Sequence, residues 1–547
     1  MSTIAELILT HTDDDHLAIL SEDESWTYQE YVSACISRAH LLLELRREGH
    51  FHVGLLLDNV PEFPMLLGAA ALSGATIVGI NSTRRGAELE RDIRHTDCQL
   101  IVTEERYLDL LADLDLPVPR ERILVVESEA WKQAVALHRG KPAPSVEIDP
   151  LAPYLLIFTS GTTGSPKAAI CSQGRLWLVG SILTQMQGFT PEDRSYQVMP
   201  MFHSNALMAG WAPTLSSGAT SVLRRKFSAS GFVQDVRRYG VTYFNYVGKP
   251  LAYILATPEA PDDADNTLVR CFGNEAGERD IGHFEKRFGC RVTDGYGSTE
   301  GAIAISRTPD TPPGALGVGQ PGTLVLDPET GKECPPARFD ENGRLLNADD
   351  AIGEIANNQS AASFEGYWNN EEAAAQRIRN SIFWSGDLGY RDDKGFIYFA
   401  GRDFDWLRVD GENLATAPIE RILSRHPYVL IAVVYAVPNA TVGDDVMATL
   451  VLRPRSHFDP EGFQLFLDDQ ADLGTKMAPR YVRISSQLPL TPSNKILKRA
   501  LRKQRWECEE PVWIREPERG YRLLEPGDEE HIRSEFAARD RESALGA

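Results

Sequence analysis

Short runs of apolar, β-branched residues alternate with longer helical stretches over roughly the first four hundred residues, and this alternation constrains the fold more than any other feature. The predicted strands are Val53–Leu57, Thr76–Ile80, Gln99–Thr103 and Arg122–Val126, and the predicted helices between them are Tyr28–Arg46 and Pro61–Ser73. Such alternation is typical of parallel sheets covered by helices. We therefore predict an α/β fold in which a large N-terminal domain of parallel-rich sheets and helices carries a small β-rich subdomain.

A separate α+β unit is predicted toward the C-terminus, as the length of 547 residues allows several domains. Its elements are predicted at Ala417–Arg425 and Pro460–Leu467 for helices, and at Ala432–Val437, Ala448–Arg453 and Tyr481–Ile484 for strands. We place the N-terminal domain at 1–400, a hinge at 401–405 and a mobile C-terminal lid at 406–505. Residues 506–547, rich in Glu, Arg and Pro, are predicted to be a solvated tail with one helix, Glu529–Ala538.

Composition indicates which kinds of binding partner and which cellular compartment are compatible with this chain. The formal net charge of −22 argues against non-specific binding to nucleic acid or to an anionic membrane. The seven cysteines are scattered and form no C-x-x-C pair, which favours reduced thiols over disulfides or zinc. The N-terminus has no basic region of a signal peptide, and the longest apolar run, Met65–Ile80, is shorter than the ~18–20 residues of a membrane span. A cytoplasmic protein is predicted.

The strongest local signal is a loop rich in glycine and hydroxyl groups that follows a strand-like run. It reads Thr159-Ser160-Gly161-Thr162-Thr163-Gly164-Ser165-Pro166-Lys167. Its amides and hydroxyls suit the oxygens of a phosphate, and Lys167 adds a positive charge. The spacing is not that of a Walker A loop. We interpret the segment as a phosphate-binding loop.

Further motifs follow in a fixed order, and together they resemble the adenylate-forming superfamily of acyl-CoA synthetases, peptide-synthetase adenylation domains and beetle luciferases. These motifs are Met201-Phe202-His203-Ser204, Gly273-Asn274-Glu275, Asp294-Gly295-Tyr296-Gly297-Ser298-Thr299-Glu300-Gly301, Trp384-Ser385-Gly386-Asp387-Leu388-Gly389 and Pro489–Ile496. Within the superfamily, Tyr243–Pro250 and Gly411–Thr416 look like the fatty-acid transport protein branch, and Arg84–Thr103 is similar to actinobacterial acyl-CoA synthetases.

The resemblance implies a role for particular residues. Tyr296 would stack on adenine, Thr299 would touch the α-phosphate, and Glu300 would bind Mg²⁺. Asp387 and Arg402 would hold the ribose, and Lys495 would stabilise the transition state of adenylation. His203 would lie beside the carboxylate being activated. The remaining residues assigned to the nucleotide are Thr159, Ser160, Gly161, Thr162, Thr163, Gly164, Lys167, Gly273, Asn274, Glu275, Asp294, Gly295, Gly297 and Ser298.

Two positions depart from the pattern of the superfamily. Asn494 precedes Lys495 where glycine is usual, although both residues tolerate a left-handed backbone. Phe404 stands at the pivot of the hinge, where Asp or Lys is usual. A hinge needs only residues that absorb a backbone change, so we do not interpret Phe404 as disabling.

The implied activity uses ATP, Mg²⁺ and coenzyme A to convert a carboxylic acid into its acyl-CoA through an acyl-adenylate. Phe202, Trp211, Tyr246 and Val247 are the predicted acid pocket, which favours a long-chain or other bulky apolar acid. The sequence leaves open fatty, branched, steroid side-chain and aryl acids. It also leaves open a ligase that loads a carrier protein, a luciferase-like oxygenase and a degenerate nucleotide-binding member. The family is compatible with a homodimer, and no membrane contact is indicated.

Overall fold

A computed structural model of the chain describes residues 2–159, 167–341, 343–402, 406–409, 412–474, 476–490, 496–516, 519–539 and 541–546. The strands are β1 (Leu17–Ser21), β2 (Glu24–Thr27), β3 (His52–Leu56), β4 (Thr76–Gly79), β5 (Cys98–Thr103), β6 (Ile123–Val125), β7 (Pro153–Thr159), β8 (Lys167–Ser172), β9 (Arg194–Gln197), β10 (Thr220–Leu223), β11 (Tyr243–Val247), β12 (Arg270–Asn274), β13 (Arg291–Gly297), β14 (Ala304–Ser306), β15 (Gly317–Gly319), β16 (Thr323–Leu326), β17 (Gly353–Asn357), β18 (Ile378–Arg379), β19 (Ile382–Arg391), β20 (Phe396–Arg402), β21 (Trp406–Val409), β22 (Glu412–Ala415), β23 (Val429–Pro438), β24 (Asp444–Leu452), β25 (Tyr481–Ile484), β26 (Val512–Glu516) and β27 (Gly520–Leu523).

The α-helices are α1 (Ile4–Leu9), α2 (Tyr28–Leu45), α3 (Glu62–Ser73), α4 (Gly86–His95), α5 (Leu108–Leu111), α6 (Glu129–Ala136), α7 (Gln173–Gln187), α8 (Ala212–Ser217), α9 (Phe232–Tyr239), α10 (Pro250–Leu255), α11 (Glu278–Phe288), α12 (Ala348–Ala351), α13 (Glu371–Arg377), α14 (Thr416–Leu423), α15 (Pro460–Asp468), α16 (Lys498–Gln504) and α17 (Pro526–Ala537). A π-helical segment, Asn205–Trp211, precedes α8. The six elements predicted between residues 28 and 126 are all present, with ends that differ by at most one residue.

The largest sheet joins a parallel half to an antiparallel half. In the parallel half, the order β13-β12-β11-β9-β10-β1 places strands that are distant in sequence side by side, and β2 closes the edge in antiparallel direction. In the antiparallel half, β14, β15, β20, β19, β17 and β16 continue from β13. This second half corresponds to the predicted β-rich subdomain, and β13 belongs to both halves.

A second sheet, β6-β5-β3-β4-β7-β8, is parallel except for the final hairpin of β7 and β8. The apolar run Met65–Ile80 forms most of α3 and all of β4, which are buried in the core between the layers. Because both faces of such a sheet are covered, its strands are apolar throughout and do not alternate. No described helix is both long and apolar enough to cross a bilayer.

The C-terminal unit is built on the sheet β23-β24-β25-β26-β27. Alternate residues of β23 enter two different cores: Val434 and Ala436 pack with Phe463 of α15, whereas Val433 and Tyr435 pack on the opposite face. A strand with successive side chains on opposite faces can fill two cores only if helices or loops cover both faces. The predicted helices and strands between residues 417 and 484 are present.

The prediction of a solvated tail at residues 506–547 was wrong. Strands β26 and β27 complete the C-terminal sheet, and Ile532 and Phe536 of α17 pack on it beside Trp506. The predicted helix is present as α17. The strands were missed because each is short and lies among Glu, Arg and Pro residues. Residues after 505 therefore belong to the C-terminal core.

Substitution of Phe536 tests this correction. Its side chain is 1% exposed, so Phe536→Ala should lower the free energy of unfolding by about 3–5 kcal/mol. Chemical denaturation followed by tryptophan fluorescence measures the change. Glu530→Ala, on the exposed side of the same helix, is the matched control and should stay within about 0.5 kcal/mol of wild type. Equal stability of both variants would restore the tail interpretation.

Candidate active site

Four neighbouring parallel strands, β9, β11, β12 and β13, end at one edge of the large sheet. The segments that leave their carboxyl ends line a cleft of about 2850 Å³. Crevices at the carboxyl ends of parallel strands are the usual ligand sites of open α/β sheets. The predicted motifs at Phe202–Ser204, Asn274–Glu275 and Asp294–Gly301 all lie there.

The turn after β13 is fixed by contacts on both sides. The guanidinium of Arg175 donates to the carbonyl oxygen of Thr299 at 2.5 Å, and the hydroxyls of Thr299 and Ser204 are 2.9 Å apart. Gly301 has φ of +71°, and a Cβ there would lie 2.3 Å from the Arg175 side chain. Only glycine fits this turn, which holds Thr299 and Glu300 at the cleft wall.

Glu300 belongs to a short relay of polar side chains. The hydroxyl of Tyr367 donates to Oε1 of Glu300 at 2.5 Å, and Nε of Arg377 donates to the Tyr367 hydroxyl at 3.3 Å. The Lys167 ammonium lies 6.0 Å from the centre of the Tyr367 ring. Burial lowers the pKa of Lys167, nearby Arg377 lowers it further, and Glu300 opposes the shift. The Glu300 carboxylate therefore lies close to two cations, Lys167 and Arg377.

A direct hydrogen bond joins the motif Trp384–Gly389, assigned to the ribose, to the motif Asp294–Gly301, assigned to the adenine. The Tyr296 hydroxyl donates to Oδ2 of Asp387 at 2.5 Å, which ties the end of β13 to β19. Asp387 is paired with Arg402 in the ladder between β19 and β20, although the side chain of Arg402 lies outside the described part of the structure. Two motifs separated by about ninety positions in sequence therefore share one wall of the cleft.

Asp294 anchors the base of this wall. Its Oδ2 accepts from the Tyr246 hydroxyl at 2.8 Å and from the Ala276 amide at 3.0 Å. Burial raises the pKa of Asp294 to about 7, and these two hydrogen bonds only partly oppose the shift. Asp294 is thus a buried carboxyl at the border of the cleft.

Most of the predicted site residues whose side chains the structure describes line the cleft, and three, Trp211, Tyr246 and Gly273, do not. The side chain of Arg402 lies outside the described part of the structure. Those on the wall are Thr159, Lys167, Phe202, His203, Val247, Asn274, Glu275, Asp294, Gly295, Tyr296, Gly297, Ser298, Thr299, Glu300 and Asp387. Ser160, Gly161, Thr162, Thr163, Gly164 and Lys495 lie outside the described residues.

Trp211, Tyr246 and Gly273 do not line the cleft, so the assignment of the first two to the acid pocket and of Gly273 to the nucleotide stays a prediction. Both aromatic side chains are packed in the main core. Gly273 lies in the middle of the parallel sheet, where a Cβ would be 2.3 Å from the backbone oxygen of Tyr246. This glycine permits close packing of two strands.

Sequence reasoning missed two groups of residues. Arg175, Tyr367 and Arg377 contact the motifs, but no pattern in the sequence marks them. The second group is an apolar face of α7, formed by Val179, Ile182, Leu183 and Met186, which lines the cleft. Its spacing of three and four residues is the helical signal that could have revealed it.

Replacement of Asp294 by asparagine tests whether burial raises the pKa of this carboxyl. Because the folded-state pKa of about 7 exceeds the ordinary 3.8, its contribution to stability is full below pH 3.8 and is lost as the pH rises through 7. Asn keeps an acceptor and cannot ionise. The apparent Tm of Asp294→Asn should therefore fall less than that of wild type between about pH 5 and about pH 8, as measured by differential scanning fluorimetry. Parallel curves for the two proteins would contradict the assignment.

Comparison with known proteins agrees with this geometry. The sequence matches the AMP-binding enzyme family over residues 9–368 and the AMP-binding enzyme C-terminal domain over residues 418–495. It is 50% identical to steroid-22-oyl-CoA synthetase of Rhodococcus jostii (strain RHA1) over 548 residues, which cover 100% of this chain and 99% of the relative. It is 46% identical to the medium/long-chain-fatty-acid–CoA ligase FadD17 of Mycobacterium tuberculosis (strain ATCC 25618 / H37Rv) over 512 residues, or 93% of this chain and 98% of the relative.

Among solved structures, the anthranilate CoA ligase AuaEII in complex with anthranoyl-AMP has the same fold. The TM-score is 0.80 at 20% identity, with 92% of this chain and 96% of that chain covered. The predicted α/β class, with a large N-terminal and a small C-terminal domain, is confirmed. The chain belongs to the family of AMP-binding enzymes.

Proposed function

We propose that this enzyme is an acyl-CoA ligase for a bulky, apolar carboxylic acid. The acid and ATP form an acyl-adenylate and pyrophosphate, and the thiol of CoA then displaces AMP to give the thioester. The predicted ligase class is confirmed, since relatives at 50% and 46% identity over nearly the whole chain are named as CoA synthetase or ligase. A cytoplasmic location and a homodimer stay predictions from the sequence.

The apolar face of α7 is the observation that carries the choice of acid. Ile182 and Met186 are 46% and 50% exposed, yet they line the same cleft as the nucleotide motifs. Met208 and Phe272 line the cleft as well. Covering such surface with a ligand contributes about 25 cal/mol for each Å² of apolar area removed from water. A small polar acid could not use this wall, whereas a long acyl chain or a fused-ring acid could.

The two relatives named above point in the same direction. One is named for a steroid-22-oyl product and the other for medium- and long-chain fatty acids. Both classes combine one carboxylate with a large apolar body. We favour the fused-ring acid, because the higher identity of 50% extends over the full length of both chains.

The residues around Glu300 fit the nucleotide and a magnesium ion. Tyr296 and Asp387 are assigned to adenosine, Thr299 to the α-phosphate, and Lys167 to the β- and γ-phosphates. A single carboxylate, Glu300, suits Mg²⁺, which takes its other ligands from phosphate oxygens and water. When bound, the ion would neutralise phosphate charge. Arg377 lies beside Glu300 and Tyr367, so its guanidinium can act with Lys167 as a second positive charge for the phosphates of the nucleotide.

The remaining parts of the site are proposed from the family resemblance alone. Lys495 is the cation for the adenylation transition state, and 401–405 is the hinge about which the C-terminal lid turns between the two half-reactions. Lys495→Ala should lower the rate of acyl-adenylate formation by ~10²–10³-fold, the usual effect of removing one electrostatic stabiliser. Thioester formation from supplied acyl-AMP should largely persist. Single-turnover assays of each half-reaction measure the two rates, and equal losses in both would contradict the assignment.

Pyrophosphate release with MgATP tests the function itself. The acid panel runs from acetate through palmitate to benzoate and steroid side-chain acids, with and without CoA. We expect CoA-dependent turnover that yields a thioester and is fastest with the bulky apolar acids. Adenylate that accumulates without use of CoA would point to a ligase that loads a carrier protein. Preference for acetate or benzoate would contradict the proposed class of acid.

A further inference from the structure

Gln187 is a buried polar side chain at the end of an apolar wall. It is the last residue of α7 and is only 5% exposed, yet it lines the same cleft as Ile182 and Met186. Its Oε1 atom is buried and has no hydrogen-bond partner among the described residues. Buried polar groups in proteins are almost always paired, so an unpaired amide oxygen beside a cleft is a group that a bound ligand or a water could pair.

The position of Gln187 along α7 places it far from the reacting carboxylate. Arg175, in the first turn of the helix, contacts the carbonyl of Thr299, the residue assigned to the α-phosphate. Gln187 comes twelve positions later, which corresponds to about 18 Å along the helix axis. A ligand that reaches from Thr299 to Gln187 must therefore be long, with the apolar face of α7 beside its middle.

The cleft-lining residue next to Gln187 in sequence is apolar, whereas β12 and β13 bring both Phe272 and the polar Thr293 to the cleft. Met186 and Phe272 are apolar. The nearby Asp193 and Arg270 form an ion pair at 2.7 Å, and neither lines the cleft. A polar group of the ligand at this end would therefore meet the Gln187 amide, which both donates and accepts hydrogen bonds.

We propose that Gln187 binds a hydroxyl or keto oxygen at the end of the acid remote from its carboxylate. The preferred substrate is then an oxygenated fused-ring acid, and a plain hydrocarbon chain leaves the amide unpaired. This inference rests on the proposed function, whose acid class it narrows. A site built to bind a substrate hydroxyl rejects the analogue that lacks it, because the buried polar group then has no partner.

A pair of acids that differ by one hydroxyl tests the inference. Lithocholate has a ring hydroxyl remote from the carboxylate, and 5β-cholanate is its deoxy analogue. Wild type should prefer lithocholate by about tenfold in kcat/KM, the range expected for one buried hydrogen bond. Gln187→Met, which is nearly isosteric, should lose that preference, mainly through slower turnover of lithocholate at limiting concentration.

Gln185→Met is the matched control, because Gln185 lies on the same helix, is exposed and does not line the cleft. It should keep the wild-type ratio. A second measurement is independent of catalysis: without ligand, Gln187→Met should raise the apparent Tm, since it removes an unpaired buried amide. Lithocholate without ATP should raise the Tm of wild type more than that of the variant.

The outcomes separate this inference from the proposed function. If wild type converts both acids and Gln187→Met keeps the same preference between them, the inference is wrong and the ligase stands. If wild type converts neither acid but converts short acids, the proposed acid class fails and the inference fails with it. A tenfold loss of preference confined to Gln187→Met supports both.

Discussion

Parallel pairing of β9, β11, β12 and β13 is the constraint on which the site depends. Backbone hydrogen bonds between these strands align their carboxyl ends at one edge, so segments that are far apart in sequence leave the sheet together. The motif Asp294–Gly301 ends β13 and continues into the turn after it, and the motif Met201–Ser204 follows β9. Since β13 also begins the antiparallel half, the same strand joins the wall of the cleft to β19 through Tyr296 and Asp387.

Local charge in the cleft differs from the charge of the chain. The protein has a formal net charge of −22, yet Lys167 and Arg377 lie close to Glu300 on a partly buried wall. A charge in a cleft with low-dielectric walls acts on a ligand more strongly than the same charge in water. The Tyr367 hydroxyl between Arg377 and Glu300 keeps the carboxylate hydrogen-bonded without a direct ion pair. One oxygen of Glu300 is thus engaged, and a second remains as a potential ligand atom.

The sequence predicted the strands and motifs that support the site better than it predicted which other side chains line the cleft. Buried strands and the motifs at their ends have local signals, and Thr299, Glu300 and Asp387 all line the cleft. Trp211 and Tyr246, predicted for the acid pocket, are packed in the main core. Because β11 is covered on both faces, alternation along it does not show whether Tyr246 borders the cleft. Tyr367 and Arg377 could not be found, since their hydrogen bonds to each other and to Glu300 form only in the folded chain, where α13 packs against β19. Strands β26 and β27 were hidden by their polar composition.

Strands β26 and β27 complete the C-terminal sheet and α17 packs on it. This affects the order in which parts of the chain fold during synthesis. Domains generally fold as units, and N-terminal ones fold first on the ribosome. Both N-terminal sheets contain only strands that precede residue 403. The core beneath Tyr435 and Trp506 instead needs Ile532 and Phe536, close to the last residue. The nascent C-terminal unit therefore stays incomplete until residue 536 has been synthesised, and the edge of its sheet stays unpaired during that interval.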